Sequence, residues 1–448
     1  MASTDSLTFK VTRKSPVLIP PAKPTPHELR FLSDIDDQYG LRFQMPLIEI
    51  YRNNPSMRGK DPVRTIRDAV AKALVFYYPF AGRLREYATR KLVVECTGEG
   101  VVFVEADADV SLQQLGTLVP PIPNLQELLH DVPGTAGVIN SPLMLIQVTR
   151  LICGGFIFAF RYSHAMSDAT GILQFLTAVG ELARGAECLS VPPVWERHIL
   201  CARYPPRVTL RHREYDVVID PKGTLIAHDR VVRHLFFGSA EISALRRSLP
   251  PHLQHSCSRF ELVTACMWRC RTSATSTEAK EEVRLLCVVN IRKRLNPPLP
   301  EGYYGNAIVY PAAVTSADKL LKNPLQYAVE LVKKAKHEAT EEYVKSVVDL
   351  MVVRGRPDLT GVRTYLVSYA KGFDEVDVGW GKAAYGGVAR AGVDSFPRAV
   401  SYFMPYKNDK GEDGILVPIC LPPKPMELFI NELHKMMVRG RSSIASPL

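Results

Sequence analysis

Long apolar runs are missing from this sequence of 448 residues. A membrane-spanning helix needs about 18 uninterrupted apolar residues, and no segment approaches that length, so we expect no membrane insertion. The N-terminal stretch carries Asp5, Lys10 and Arg13 where a secretory signal peptide would have its apolar core. We therefore expect the protein to remain inside the cell.

Cysteine is sparse and forms no metal-ligand pattern. The nine cysteines are odd in number and scattered, and four lie in apolar runs, which favours reduced, buried thiols: Cys96, Cys266, Cys287 and Cys420. Cys266 and Cys270 fall one helical turn apart, but no neighbouring His or Cys pair would complete a zinc site. The sequence therefore predicts no structural metal.

Basic stripes interleaved with aromatic residues are also missing, as are nucleic-acid motifs, so nucleic acid is not an expected partner. The formal charge of +10, from 56 Lys and Arg against 46 Asp and Glu, suits either an anionic ligand or a solvated surface. The sequence does contain 46% hydrophobic and 23% charged residues, which is typical of soluble globular proteins.

The length favours two domains of similar size. Proline and basic residues crowd the segment 186–222, which predicts a crossover linker between domains at 1–185 and 223–448, with some strand exchange between them. Both halves mix strands with helices, so we predict an α/β or α+β class with two sheets. The main predicted strands are 7–12, 92–96, 100–105, 142–151, 231–237, 283–290, 365–368, 399–404 and 415–420, and the predicted helices are 61–77, 240–249, 258–268, 325–339, 341–353 and 425–437.

The most informative stretch is residues 153–185. Residues 156–162 predict a buried strand, and apolar residues at helical spacing after Asp168 predict a helix. His164 therefore lies where a rigid strand ends, a place where folds can present reactive groups. Two interpretations are open at this point. His164 and Asp168 are either a hydrogen-bonded turn residue and a helix cap, or a functional H-x-x-x-D pair.

A second pattern, D-V-G-W-G, begins at Asp377 in a glycine-dense loop that continues through 386–387. Gly379 and Gly381 flank Trp380, which predicts a tight turn wedged into a core, structural rather than catalytic. The order and separation of the two patterns resemble the BAHD acyltransferases of plants, which carry H-x-x-x-D mid-chain and D-F-G-W-G near the C-terminal end. The usual Phe of that motif is replaced here by Val378, which we interpret as a packing change.

The resemblance covers essentially the full length. It includes Y-P-F-A-G-R-L at 78–84, N-I-R at 290–292 and G-Y-Y-G-N at 302–306. Within the family, the segments F-L-S-D-I-D-D-Q and E-D-G-I-L-V-P are most similar to benzyl alcohol O-benzoyltransferases and alcohol acyltransferases. The resemblance implies two chloramphenicol-acetyltransferase-like domains with a channel between them. Acyl-CoA would enter one side of the channel and the alcohol the other.

The same resemblance gives roles to individual residues. His164 would be the general base that takes the hydroxyl proton, and Asp168 would pair with Arg292 and hold the loop. Ser368, or a backbone N–H beside it, is our candidate donor to the oxyanion. Ser258, at a predicted helix N-terminus, is our candidate for a CoA phosphate, with a plain N-cap as the alternative. A Ser-His-Asp triad is not expected, because no serine near His164 lies in a G-x-S-x-G elbow.

The expected reaction uses benzoyl-CoA and benzyl alcohol, with acetyl-CoA or another aliphatic acyl-CoA and a volatile alcohol as the alternative. Acyl-CoA would be a co-substrate, and no other cofactor or metal is expected. A non-catalytic relative that binds CoA esters is the alternative from another class. We expect a monomer whose partners are acyl-CoA and small alcohols.

The final tripeptide, Ser446-Pro447-Leu448, keeps the small first residue and the terminal Leu of the peroxisomal signal S-K-L, which leaves peroxisome and cytoplasm as the two expected locations. If the tripeptide directs import, a fluorescent protein fused to the N-terminus should give punctate fluorescence in plant cells. The punctate pattern should become diffuse when residues 446–448 are deleted. Diffuse fluorescence from both fusions would contradict import and favour the cytoplasm.

Overall fold

The computed structural model describes residues 9–87, 89–116, 118–122, 124–218, 230–276, 278–390 and 400–442. The C-terminal tripeptide 446–448 lies outside these ranges. The described part of the first half contains these strands and helices: β1 (Val11–Arg13), β2 (Val17–Ile19), β3 (Leu29–Phe31), β4 (Gln44–Tyr51), α1 (Pro62–Phe76), β5 (Arg83–Glu86), β6 (Leu92–Glu95), β7 (Val101–Ala108), α2 (Leu112–Leu115), α3 (Leu125–Leu128), β8 (Met144–Leu151), β9 (Phe156–Ser163) and α4 (Ala169–Ala183).

The second half follows a linker. Its elements are β10 (Val231–Phe237), α5 (Ser239–Arg247), α6 (Pro251–Ser256), α7 (Arg259–Thr275), β11 (Glu282–Cys287), β12 (Val289–Asn290), β13 (Ile308–Val309), β14 (Ala312–Ser316), α8 (Ala317–Lys322), α9 (Leu325–Glu338), α10 (Glu341–Val353), β15 (Thr364–Tyr369), β16 (Tyr385–Val388), β17 (Val400–Lys407), β18 (Asp413–Leu421) and α11 (Pro423–Ser442).

Two large mixed sheets organise these elements. Among the described strands, the first sheet has the order β1-β7-β8-β9-β4-β16, with β2 also pairing with β7. The second has the order β10-β18-β17-β15-β11-β14. Smaller sheets are formed by β3, β6 and β5 and by β12 with β13. The predicted mixed class with two sheets is confirmed.

Helix α1 shows how local sequence sets these elements. Asp61 caps it, since a carboxylate oxygen accepts the Val63 N–H at 3.2 Å, and Pro62 occupies the first helical position. The buried stripe includes Ile66 and Val70, and the helix packs against α4 and β8. Helices α7 and α11 also form, but they extend beyond the predicted ends, to Thr275 and Ser442.

Seven of the described strands were not predicted by the sequence pattern: β2, β3, β4, β5, β13, β14 and β16. Strand β4 contains Pro46 and Glu49, which interrupt an apolar alternation, yet it lies between β9 and β16 with Ser163 opposite Gln44. The glycine-dense segment expected to be a loop through 386–387 is instead β16, which pairs antiparallel with β4. Both assignments depend on pairing with distant segments, and short-range sequence patterns do not record that pairing.

Two hydrophobic cores lie beside the two large sheets. The first core takes Trp380 and Tyr385 from the second half of the chain, and the second core takes Ile35 and Leu41 from the first half. The linker has no α-helix or strand in its described part, 186–218. The domain boundaries themselves stay a prediction.

The nine cysteines are unpaired. Contrary to the expectation of buried thiols throughout, Cys153, Cys188 and Cys201 are exposed, because they lie in turns and in the linker rather than in sheet or helix interiors. Among the residues that the structure describes, none of the helices combines the length and the apolar character that crossing a bilayer requires.

Candidate active site

A cavity of about 420 Å³ opens where the two large sheets approach each other. Its walls are mostly apolar and aromatic, and both halves of the chain contribute to them. A volume of this size suits a small-molecule ligand. The side chains that line it include His164, Phe43, Met45, Tyr162, Thr170, Ser368, Lys371 and Tyr402.

His164 enters this cavity directly from the end of β9. Its backbone N–H donates to the carbonyl oxygen of Phe43 at 2.9 Å, so the turn is tied to the chain just before β4. The imidazole lies between the rings of Phe43 and Tyr162, with centroid separations of 5.2 and 5.9 Å. Its Nδ1 is buried and has no hydrogen-bond partner, so Nε2 is the nitrogen left to face the cavity.

Burial lowers the pKa of the His164 imidazole below its ordinary value, because the charged form loses its hydration. Its own backbone carbonyl, the negative charge of Asp168 and the Asn306 side chain act in the opposite direction, but burial outweighs them. The imidazole is therefore neutral at neutral pH. A neutral imidazole facing a small-molecule cavity can accept a proton from a bound hydroxyl.

Asp168 both caps a helix and forms an ion pair. One carboxylate oxygen accepts the Gly171 N–H at 3.0 Å and so caps α4, while the other accepts the Ala307 N–H at 2.9 Å. The Arg292 guanidinium donates to both oxygens, at 2.8 and 2.9 Å. The helix cap and the expected pairing with Arg292 are thus both present, because one carboxylate makes both sets of contacts.

The contacts of Asp168 also set its charge. Burial works to raise the pKa of its carboxyl, but the Arg292 charge and the hydrogen bonds from Arg292, Ala307 and Gly171 outweigh burial and hold the pKa below its ordinary value. Nearby, the Ser167 hydroxyl donates to the Tyr304 carbonyl oxygen at 2.7 Å. Ser167 is therefore engaged in holding the 302–306 segment.

The D-V-G-W-G turn lies away from the cavity. The carboxylate of Asp377 accepts the N–H groups of Gly379 and Gly381, at 2.7 and 2.8 Å, and both glycines have positive φ angles, of 107° and 85°. Trp380 packs edge-on against Phe156, at the opposite end of β9 from His164. These residues hold the loop against the first sheet and do not line the described cavity.

The two candidate serines are placed differently. Ser368 lies on β15 and lines the same cavity as His164. The hydroxyl of Ser258 accepts the Glu261 N–H at 3.2 Å, and Glu261 bonds back to the Ser258 N–H, which completes a capping box at the start of α7. Ser258 does not line the described cavity, and its hydroxyl is occupied by the cap.

Comparison with known proteins identifies the family. The model of the Transferase family matches residues 9–436, nearly the whole chain. The chain belongs to this family, the BAHD acyltransferases. It is therefore an acyltransferase.

Its similar relatives include benzyl alcohol O-benzoyltransferases. The chain is 62% identical to one from Petunia hybrida, over 97% of this chain and 95% of the relative, and 61% identical to one from Nicotiana tabacum with the same coverage. It is 51% identical to alcohol acyl transferase 1, allele GSd, of Malus domestica, over 98% of this chain and 97% of the relative.

Among solved structures, vinorine synthase superposes with a TM-score of 0.74 at 23% identity, covering 95% of this chain and 98% of that one. TRI101 of F. sporotrichioides superposes with a TM-score of 0.68 at 17% identity, covering 91% and 98%. The BAHD fold expected from the sequence motifs is confirmed.

Sequence reasoning missed most of the cavity wall of this BAHD enzyme. Phe43 and Met45 adjoin or belong to β4, which was not predicted. Tyr402 belongs to β17, which was predicted, but the strand pattern does not show which of its side chains line a cavity. It also missed Asp36 and Asn306, which lie just behind His164. Asn306 stands in the G-Y-Y-G-N segment quoted for the family resemblance, so a signal existed without a role attached to it. Within the described ranges, no three metal-ligand side chains gather into a site.

Proposed function

We propose that this acyltransferase uses acyl-CoA as donor and a small alcohol as acceptor, with benzoyl-CoA and benzyl alcohol as the preferred pair. The observation that carries the proposal is the 62% identity, over nearly the full length, to the benzyl alcohol O-benzoyltransferase of Petunia hybrida. The apolar, aromatic-lined cavity supports this pair, since burying the phenyl groups of the two substrates away from water is favourable in free energy.

His164 acts as general base in the proposed mechanism. Its neutral Nε2 takes the proton of the alcohol O–H while the oxygen forms a bond to the thioester carbon. The carbonyl electrons move to oxygen and give a tetrahedral oxyanion. When the oxyanion collapses, the carbon–sulfur bond breaks, and the leaving CoA sulfur receives the proton from the His164 imidazolium. The products are an ester and free CoA thiol, and no covalent acyl-enzyme is formed.

Substrate preference is tested by following thiol release for benzoyl-CoA and acetyl-CoA against benzyl alcohol and an aliphatic alcohol. We expect the highest kcat/KM for benzoyl-CoA with benzyl alcohol. A higher kcat/KM with acetyl-CoA would favour the alternative, an aliphatic alcohol acyltransferase like the relative from Malus domestica. Thiol release with none of the pairs would favour a non-catalytic relative that binds CoA esters.

Ser368 is proposed as the donor to the oxyanion, because this residue lines the cavity that also holds His164. Ser368→Ala should lower kcat by about 10²- to 10³-fold with a small change in KM, since loss of one oxyanion donor affects the transition state most. Thr170→Val is the matched control, because Thr170 is another hydroxyl of the cavity wall, held by the Asn290 amide at 3.1 Å. Equal effects of the two substitutions on kcat would remove the special role of Ser368.

A further inference from the structure

The carbonyl oxygen of His164 is held by a side chain from the other half of the chain. The amide nitrogen Nδ2 of Asn306 donates to this oxygen at 2.8 Å. The same nitrogen donates to a carboxylate oxygen of Asp36 at 2.9 Å, and the Asn306 backbone N–H donates to that oxygen at 2.8 Å. Two acceptors thus face one amide NH₂ group, which fixes the orientation of the Asn306 side chain.

Asp36 is itself fixed from the opposite side. Its side chain is fully buried, and both oxygens accept from Nη1 of Arg197, at 2.7 and 2.8 Å. The Ser33 hydroxyl and backbone N–H donate to the second oxygen, at 2.7 and 3.0 Å. A buried carboxylate with this many donors has one position available.

Arg197 also contacts the turn that carries His164. Its second terminal nitrogen donates to the carbonyl oxygen of Met166 at 2.9 Å. Its guanidinium lies 4.4 Å from the ring centroid of Trp195, and a Cβ on Gly305 would fall 1.9 Å from its Nη1. The glycine before Asn306 therefore leaves the room that the guanidinium fills.

The carbonyl oxygens at both ends of the turn His164–Met166 thus accept hydrogen bonds from side chains. Asn306 holds the first, Arg197 holds the second, and Asp36 ties the two together. None of these three side chains is among the described residues that line the cavity, so they do not contact a ligand there. Their effect on a reaction in the cavity has to pass through the histidine turn.

We propose that Asp36, Asn306 and Arg197 form a positioning unit that holds the His164 imidazole in its reactive orientation. The inference rests on the proposed role of His164 as the base. The three residues are positioning residues, since each acts through the turn rather than on a substrate.

The direction of the effect on basicity follows from the charges around His164. Two carboxylates favour the imidazolium form of His164: Asp168, which is paired with Arg292, and Asp36, which is paired with Arg197. The Asn306 side chain also favours the imidazolium. The cavity wall also presents Lys371, Tyr162, Tyr310 and Tyr402. Removing the Asn306 amide or the Asp36 charge should therefore lower the pKa of His164, and the acidic limb of kcat/KM should move to lower pH.

The test compares Asn306→Ala and Asp36→Asn with the control Asp37→Asn. Asp37 is an equally buried carboxylate paired with Arg42 and Arg356, but it makes no contact with the histidine turn among the described residues. We expect both test variants to lose about 10²-fold in kcat with nearly unchanged KM for acyl-CoA, because a small misplacement of the base acts on the transition state. We expect the acidic limb to shift downward in the test variants and to stay in place in Asp37→Asn.

A readout besides activity separates this inference from the proposed function. The His164 imidazole can be titrated by NMR on 13C-labelled histidine, with its signal assigned by its loss in His164→Ala. A lowered pKa in Asn306→Ala supports the positioning unit even if His164→Ala retains turnover, in which case the base assignment fails alone. If Asp36→Asn does not fold, Asn306→Ala decides, since it keeps the Asp36–Arg197 pair. An unchanged titration and an unchanged kcat in Asn306→Ala would overturn the inference.

Discussion

Replacing His164 by alanine is expected to reduce kcat by about 10²- to 10⁴-fold, the range that a positioned general base contributes. The His164 imidazole lines the cavity, and it is neutral because burial holds its pKa below the ordinary value of 6.5. The affinity for acyl-CoA should change little, because the substitution removes a group that acts on the alcohol proton.

Steady-state kinetics with benzoyl-CoA and benzyl alcohol, together with a binding measurement for CoA, check this expectation. In the unaltered enzyme, kcat/KM should fall only below about pH 6.5, where the imidazole begins to take up a proton. The fall should be absent from the residual activity of His164→Ala. Near-normal turnover by this variant, with an unchanged melting temperature, would remove His164 from the mechanism.

Sequence patterns anticipate the fold well where an element carries its own signals. Helix α1 begins with an Asp-Pro pair that caps it, and strand β9 is an almost wholly apolar run that ends just before the histidine. Strand β16 has only Tyr385, two glycines and Val388, and nothing in these four residues indicates that β4 lies beside them. Its existence depends on a partner more than three hundred residues away, so only the assembled chain reveals it.

The candidate site also has a part that the sequence predicts and a part that only the folded chain reveals. His164 and Asp168 are four residues apart, so one motif places both, and the family resemblance adds Arg292. Asp36 and Asn306 are 270 positions apart in the chain, yet the Asn306 N–H lies 2.8 Å from an Asp36 oxygen. Both residues stand in segments that carry the family resemblance, but neither segment indicates a role, because their common role depends on a contact between the two halves. Such contacts are what a single sequence does not display.

Replacing Asp168 by asparagine should destabilise the protein by about 3–5 kcal/mol, the loss typical of breaking a buried ion pair. Asparagine can still accept the Gly171 N–H and cap α4, so the helix cap is retained. Asparagine cannot neutralise Arg292. The Arg292 side chain is 15% exposed, and it would keep its charge without the carboxylate that now accepts its hydrogen bonds. Activity should fall with stability, because the same carboxylate ties the histidine turn to the Ala307 N–H.

Asp61→Asn is the matched control for this substitution. Asp61 also caps a helix, α1, and also receives two hydrogen bonds from an arginine, Arg150, both at 2.8 Å, but its side chain is 40% exposed while that of Asp168 is 3% exposed. An exposed pair contributes less than about 1 kcal/mol, so Asp61→Asn should leave the melting temperature and kcat nearly unchanged.

The pH dependence of the stability adds a second check on Asp168. Since the folded-state pKa of Asp168 lies below its ordinary value of 3.8, its contribution is complete above that pH and is lost as the pH falls through the folded pKa. The difference in unfolding free energy between the unaltered protein and Asp168→Asn, measured by urea unfolding, should therefore be constant from pH 7 to about pH 4 and narrow below it. Equal destabilisation by both substitutions would contradict the contribution assigned to the buried ion pair. Loss of activity in Asp168→Asn at full stability would assign this carboxylate a direct electrostatic role instead.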